Sequence, residues 1–312
     1  METSDFEKII RAFKDKKIPK EQYWKELLEF HKILEAYADL IHPNELRKIE
    51  VTDSGLFIVL PNGLRFAWHP QDFRTAVSHI VNDGGYELKE RDLLFRLVAN
   101  AQTVFDIGAN VGWYALHFSR LIAEKGGSVY AFEPIKKTYD ALAENIDINK
   151  TQNISIFNNG FGDENRSVRF FLPECSGSVA ASMRPLYDSG SEEEECEILK
   201  LDDFVAEREI KDISFLKCDV EGAELLVIRG GMSTLENQNP IVFMEMLRKW
   251  SARFGYHPNE TIQLLADIGY KCFFNSSGLL VPMESMTDDC LETNFYFLNE
   301  EKHSHLIGEL SR

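Results

Sequence analysis

Several things are scarce in this 312-residue chain. Its five cysteines, Cys175, Cys196, Cys218, Cys272 and Cys290, are scattered, odd in number and without a CxxC pair, which argues against a disulfide framework and against a zinc site. Basic residues are short: 34 Lys and Arg face 51 Asp and Glu, for a formal charge of −17. Such a balance disfavours phosphate backbones and anionic headgroups, so nucleic acid is not an expected partner. No apolar run reaches the length of a membrane span, and the opening residues Met1 to Glu7 are acidic where a signal peptide would be basic and then apolar. The expectation is a soluble, cytoplasmic protein in a reducing compartment. No internal repeat is evident.

What is present is the composition of an ordinary globular protein, 44% hydrophobic and 12% aromatic. Residues 1–85 read as an N-terminal helical and β-hairpin region. Two helices run from Asp5 to about Ile41, the second starting near Pro19, and Leu56–Leu60 and Leu64–Trp68 flank the turn residues Pro61-Asn62-Gly63. A helix over Leu88–Ala99 leads into residues 86–300, where strands and helices alternate: strands are predicted at 103–106, 128–132, 154–158, 214–218 and 241–245, with helices at 111–123, 136–149 and 223–229. That order predicts an α/β domain with a mostly parallel sheet covered on both faces, closed at one edge by an antiparallel hairpin from Tyr270–Phe274 and Phe295–Leu298. Residues 301–312 are left as a tail. The insertion from Gly162 to Leu201, with Ser176-Gly177-Ser178 and the acidic run Glu192 to Glu195, is expected to be a loop or hairpin over the sheet's C-terminal edge, the acidic run a solvated face or disorder.

The central signal is Asp106-Ile107-Gly108-Ala109-Asn110-Val111-Gly112, where a strand gives way to a helix. Gly108 allows a tight turn and Gly112 a close helix–strand approach, and the helix start beyond offers free backbone N–H groups to an anion. A pyrophosphate or the carboxylate of a methionine moiety would both suit those amides. Asp106 separates the two, because a carboxylate before the first glycine repels phosphates but favours the cationic region of S-adenosylmethionine. The spacing also departs from GxGxxG. About twenty residues on, Phe132-Glu133-Pro134 places a carboxylate where it can accept ribose hydroxyls, or serve as a helix N-terminal acid.

Further acids fall at the sheet edge where α/β proteins bind ligands. Asp219 and Glu221 follow the strand Phe215-Leu216-Lys217-Cys218, and Glu245 ends the next one. Asp219, Glu221 and Glu245 are the candidate catalytic residues, each able to deprotonate an acceptor hydroxyl, and a divalent cation such as magnesium is left open. Capping by Asp219 and a structural, paired Glu245 are the competing readings; Glu224 is assigned to support of the loop. His69, His79 and His257 lie in segments that could line the same pocket.

Four pieces in order, Val104 to Gly112, Ala131 to Pro134, Lys200-Leu201-Asp202-Asp203-Phe204, and Phe215 to Glu224, make the region from about Glu87 to Phe297 resemble the FkbM-type methyltransferases. The resemblance implies a Rossmann-like class I methyltransferase fold with a seven-stranded sheet. It implies S-adenosylmethionine as cofactor, held by Glu87, Asp106, Gly108, Ala109, Asn110, Gly112, Glu133, Pro134 and Asp219, with Glu87 or Tyr86 folding over it. It also implies O-methylation of a hydroxyl on a sugar, glycan or natural product, so that a small-molecule or glycan acceptor is the expected partner. An NAD(P)-dependent oxidoreductase and a non-catalytic binding protein with a methyltransferase fold are the alternatives. The N-terminal helices are expected to carry a homo-oligomer contact.

Overall fold

In the computed structural model, residues 5–41, 45–173, 183 and 191–311 are described. Cys175 and Ser176-Gly177-Ser178 lie outside the described residues. The chain opens with helices α1 (Asp5–Lys14) and α2 (Lys20–Ile41), then a meander of β1 (Lys48–Thr52), β2 (Gly55–Val59) and β3 (Arg65–Ala67). The expected hairpin thus gains a strand on its N-terminal side. Helices α3 (Ala76–Asp83) and α4 (Leu88–Val98) lead to the alternating part: β4 (Thr103–Ile107), α5 (Trp113–Ile122), β5 (Ser128–Phe132), α6 (Lys136–Asn149), β6 (Ile154–Phe157). An inserted three-stranded sheet follows, from β7 (Gly160–Phe161), β8 (Arg166–Pro173) and β9 (Ser191–Leu199). The remainder is α7 (Leu201–Glu207), β10 (Ile213–Cys218), α8 (Glu224–Gly230), α9 (Met232–Gln238), β11 (Ile241–Glu245), α10 (Arg248–Ser251), α11 (Pro258–Ala266), β12 (Tyr270–Ser276), β13 (Leu279–Met283), β14 (Asn294–Asn299) and α12 (Ser304–Leu310).

The main sheet runs β13-β12-β14-β11-β10-β4-β5-β6. From β11 to β6 neighbours are parallel, and β14, β12 and β13 add antiparallel pairs at one edge. This is the expected Rossmann-like class I architecture with one strand more than seven: β13 extends the edge hairpin, and its Pro282 sits where an edge strand tolerates a missing donor. Successive residues of the central strands alternate between two cores. Val104, Phe215 and Phe243 face the meander, α4 and α5, while Phe105, Leu216 and Val242 join the core with residues of α7, α8 and α11. Both faces of the sheet are therefore buried, as parallel sheets require.

The meander's outer edge is closed by a helix rather than another strand. Arg65 N donates to Asn149 Oδ1 (2.9 Å) and Ala67 N to Asn145 Oδ1 (2.9 Å), both on α6. Asn145 Nδ2 in turn donates to Val111 O in the glycine turn (2.8 Å), tying the N-terminal region to the sheet's C-terminal edge. The acidic run belongs to β9, where Glu193, Glu195 and Glu197 face solvent and alternate with buried Cys196 and Ile198. Glu194, half-buried between them, accepts from Lys136 N at the start of α6 (2.7 Å), the end of a helix that favours an anion.

Candidate active site

β4 ends at Ile107, and the chain turns sharply through Gly108, at φ 78°. A Cβ there would stand 1.9 Å from Asp219 O, so the close approach of the two loops requires glycine. Asn110 is also left-handed, at φ 51°, and its side chain accepts from Val111 N (2.7 Å). The amides of the turn are already engaged. Gly108 N and Ala109 N donate to Phe132 O, Asn110 N to Glu133 Oε2 (3.0 Å), and Gly112 N to Ala109 O. Neighbouring groups thus take up the N–H groups of the turn itself, and the free amides expected for an anion are those of the helix start beyond it, at Trp113.

Glu133 is the counterpart of that turn. Its Oε2 holds Asn110 N and its Oε1 holds Ile135 N at the entry to α6 (3.0 Å each), so one buried carboxylate joins two strand ends. Burial raises its pKa to about 7 against the lowering effect of those two amides. Each oxygen keeps a further acceptor direction, enough to receive hydroxyl donors from a ligand.

At the other end of the cleft stand Glu87, Asp219, Glu221 and Glu245. Glu245 closes β11, and burial followed by the charges of Asp219, Glu221 and Glu87 pushes its carboxyl up to about 9. Glu221, left-handed at φ 54°, is raised to about 8 by burial and by Asp219 and Glu224, with Lys249 and Arg74 opposing. Glu87 precedes α4 and accepts from the Tyr114 hydroxyl; burial raises it above the ordinary carboxylate range. Glu224 lies under this group, not in it. Its Oε1 accepts from Val220 N and Gly222 N, and Tyr256 donates to its Oε2, so it braces the 219–222 turn as the sequence suggested.

A residue the sequence reading passed over links the two ends. Lys217, on β10, is 3% exposed; its Nζ lies 3.3 Å from Asp219 Oδ2 and 3.5 Å from Asp106 Oδ1, over the Tyr114 ring. Burial alone would lower its pKa, but Asp219, Asp106 and Glu87 together hold it above the ordinary lysine value. Asp106 is fully buried, with Lys217 and the backbone amide of Ala115 as its stabilising neighbours. It sits behind the cleft wall, as does Gly112, which packs where a Cβ would come within 2.5 Å of Leu142. Gly108, Ala109, Asn110, Glu133, Pro134 and Asp219 form the wall itself.

The cleft holds a cavity of about 170 Å³ and opens to solvent at its mouth. Among the described residues, five carboxylates line it against one buried lysine and the exposed rim residue Arg74. That donor set fits a ligand with hydroxyls and a positive centre, and opposes the phosphates of a dinucleotide. No group of three His, Cys, Asp or Glu side chains comes together as a metal site among the described residues. The three histidines expected near the cleft are elsewhere. His79 pairs with Asp83 (2.6 Å), His257 caps α11, and exposed His69 is outside the lining. The Leu-Asp-Asp piece is structural: Asp202 accepts from Ser233 N and Thr234 N, capping α9.

Comparison with known proteins identifies the family. The model of the methyltransferase FkbM domain matches residues 106–272, more than half of the chain, and the protein belongs to that methyltransferase family. A hexuronic acid methyltransferase of Haloferax volcanii is 26% identical over 187 residues, 57% of this chain and 68% of that protein. A protein called methyltransferase 1 from Beauveria bassiana is 26% identical over 149 residues, 41% of this chain and 57% of that one. Among solved structures, an FkbM methyltransferase from Methylobacillus flagellatus is 18% identical with a TM-score of 0.39, over 63% of this chain and 43% of that chain. This chain therefore spans less than half the length of that solved protein. No described helix is long and apolar enough to cross a membrane.

Proposed function

We propose that this chain transfers a methyl group from S-adenosylmethionine to a hydroxyl of a sugar, glycan or natural product. The observation that carries the reading is the cleft's set of carboxylates, at the C-terminal ends of β5, β10 and β11 around the glycine turn that follows β4. In this reading Glu133 receives the ribose hydroxyls, Pro134 flanks the adenosine, and Gly108, Ala109 and Asn110 border the methionine part. Asp106 acts from behind the wall through Lys217, and Gly112 by packing. Bound there, the sulfonium supplies an electrophilic methyl carbon. The chain's own task is to hold an acceptor oxygen in line with it and to receive the acceptor's proton, and Asp219, Glu221 and Glu245 are placed to do so. Glu87 and Tyr86 close over the same space from the start of α4. The Haloferax relative is named for hexuronic acid, which supports a sugar as the acceptor class.

Residues 1–85 are proposed as an N-terminal helical and β-hairpin region packed on the core, 86–300 as the catalytic domain and 301–312 as a tail. A homo-oligomer contact is proposed through α2, where Trp24, Leu28, Ile33 and Leu34 are all more than half exposed. A cytoplasmic location completes the reading.

The test is incubation with methyl-labelled S-adenosylmethionine and a panel of glycans, nucleotide sugars and natural-product precursors, with and without magnesium and chelator. Label on an acceptor hydroxyl, unaffected by chelator, is the expected result. Binding of NAD(H) without binding of S-adenosylhomocysteine would overturn the reading.

A further inference from the structure

We propose that Glu87, Glu221 and Glu245, gathered around Asp219, work as one proton-holding cluster that reads the charge of the methyl donor, releasing a proton when a sulfonium enters the cleft and regaining one when transfer leaves a neutral thioether. The inference rests on the donor reading above and adds to it how the site tells donor from spent product.

The geometry brings four acids from three places in the chain into one cleft. Glu87 comes from the entry to α4, Asp219 and Glu221 from the turn after β10, and Glu245 from the end of β11. The groups facing them are few. Lys217 lies beneath, its one charge divided between Asp219 and fully buried Asp106. Arg74 stands at the exposed rim before α3, Lys249 acts on Glu221 from α10, and Glu224 adds a further acid below. Tyr86 and Tyr114 complete the wall, Tyr114 donating to Glu87. Crowded like charges in a partly dry site do not all ionise, and such groups titrate as a set. Burial first, and after it the charge of neighbouring acids, raises the carboxyls of Glu245, Glu221 and Glu87.

A positive centre brought among these acids stabilises their ionised forms and expels a proton; a neutral thioether does not. In the transfer the acceptor oxygen bonds to the methyl carbon, the carbon–sulfur bond breaks with its electron pair left on sulfur, and the acceptor's proton passes to the cluster. The sulfonium's positive charge is lost as one carboxylate is neutralised. The net charge of the cleft is thus the same before and after, and no counter-ion need enter or leave.

Calorimetric titration of the full chain with S-adenosylmethionine and with S-adenosylhomocysteine, each in two buffers of different ionisation enthalpy at about pH 7.5, counts the protons exchanged. The donor should release more protons than the thioether, the difference approaching one. Correspondingly, the ratio of donor to thioether affinity should rise with pH between about 7 and 9, by up to about tenfold per pH unit. Glu245→Gln should flatten that rise; where this variant does not fold, the two-ligand proton count on the native chain stands alone. Equal proton counts for the two ligands would overturn the proposal while leaving the transferase reading intact. Binding of neither ligand would remove both.

Discussion

Replacing Lys217 by methionine tests the electrostatic floor of the cleft. Methionine keeps the length and apolar stem of the side chain but removes the charge that lies 3.5 Å from Asp106 and 3.3 Å from Asp219. Asp219 is 28% exposed and can turn to water, whereas Asp106 is wholly buried and, without the lysine, is left with the Ala115 amide and no solvent. Breaking a buried pair by removing one partner costs about 3–5 kcal/mol, because the remaining charge is stranded in low dielectric. With a urea dependence of about 3 kcal/mol per molar, the unfolding midpoint should fall by about 1 M or more. Removing the stranded charge as well should reverse most of the loss, so Asp106→Asn combined with Lys217→Met should be more stable than Lys217→Met alone. The deficit should also depend on pH. In Lys217→Met the Asp106 carboxyl, already raised by burial, loses its stabilising cation and rises further, so the folded state binds a proton that the unfolded state releases above about 3.8. The deficit therefore shrinks as pH falls through the raised value towards 3.8. A midpoint within about 0.3 M of the native chain, or a deficit that does not change with pH, would refute the reasoning.

Gly108→Ala places a methyl 1.9 Å from Asp219 O in a left-handed conformation, so at least about 1–2 kcal/mol of strain and a tenfold or greater loss of S-adenosylhomocysteine affinity are expected by titration. Glu133→Ala leaves the amides of Asn110 and Ile135 without their acceptor; chemical denaturation should register a loss of about 1–3 kcal/mol, and Glu133→Gln should retain more of both stability and affinity. The raised carboxyls of Glu133 (about 7), Glu221 (about 8) and Glu245 (about 9) bind protons in the folded state that the unfolded state has lost above about 4.5, so thermal stability of the ligand-free chain should fall as pH rises from 5 to 9, and Glu245→Gln should lessen the fall. Deleting residues 1–44 should reduce the mass seen by light scattering to that of the monomer; an unchanged oligomer number would remove the proposed role of α2.

Much of this fold was legible because period-two apolar patterns and glycine punctuation are local signals. Lys136–Asn149 and Ser128–Phe132 fall where the pattern placed them. The β13 strand was not, since Pro282 and the short run Leu279–Met283 read as a loop until β12 supplies a partner. The candidate acids were legible as strand-end carboxylates, but their common charge problem was not, because it depends on which loops converge. Lys217 could have been found. A lysine flanked by Leu216 and Cys218 in a strand covered on both faces must be buried and needs a counter-ion, and parallel pairing sets it beside Asp106. His257 was also readable: followed by Pro258 and, three positions on, Glu260, it carries the marks of a helix cap, and the structure has that capping box. The engaged amides of the glycine turn were beyond sequence, since Phe132 and Glu133 reach them only across the sheet.

The part of the chain before the family match is built into the site. Arg74, Tyr86 and Glu87 all line the cleft, yet all precede residue 106. Their placement is held from the N-terminal side as well: Asn145 joins the meander at Ala67 to the glycine turn at Val111, and Tyr86 packs edge-on against Trp113 of α5, 6.0 Å between ring centroids. Loops carried on a shared scaffold vary more freely than the scaffold itself. If the glycine turn and Glu133 hold the donor and Glu87 faces its sulfonium, the rim at Arg74 and the wall at Tyr86 are left to shape the acceptor's side. Relatives that share residues 106–272 then have reason to share a donor, while which acceptor of a class is taken is left to walls outside that match.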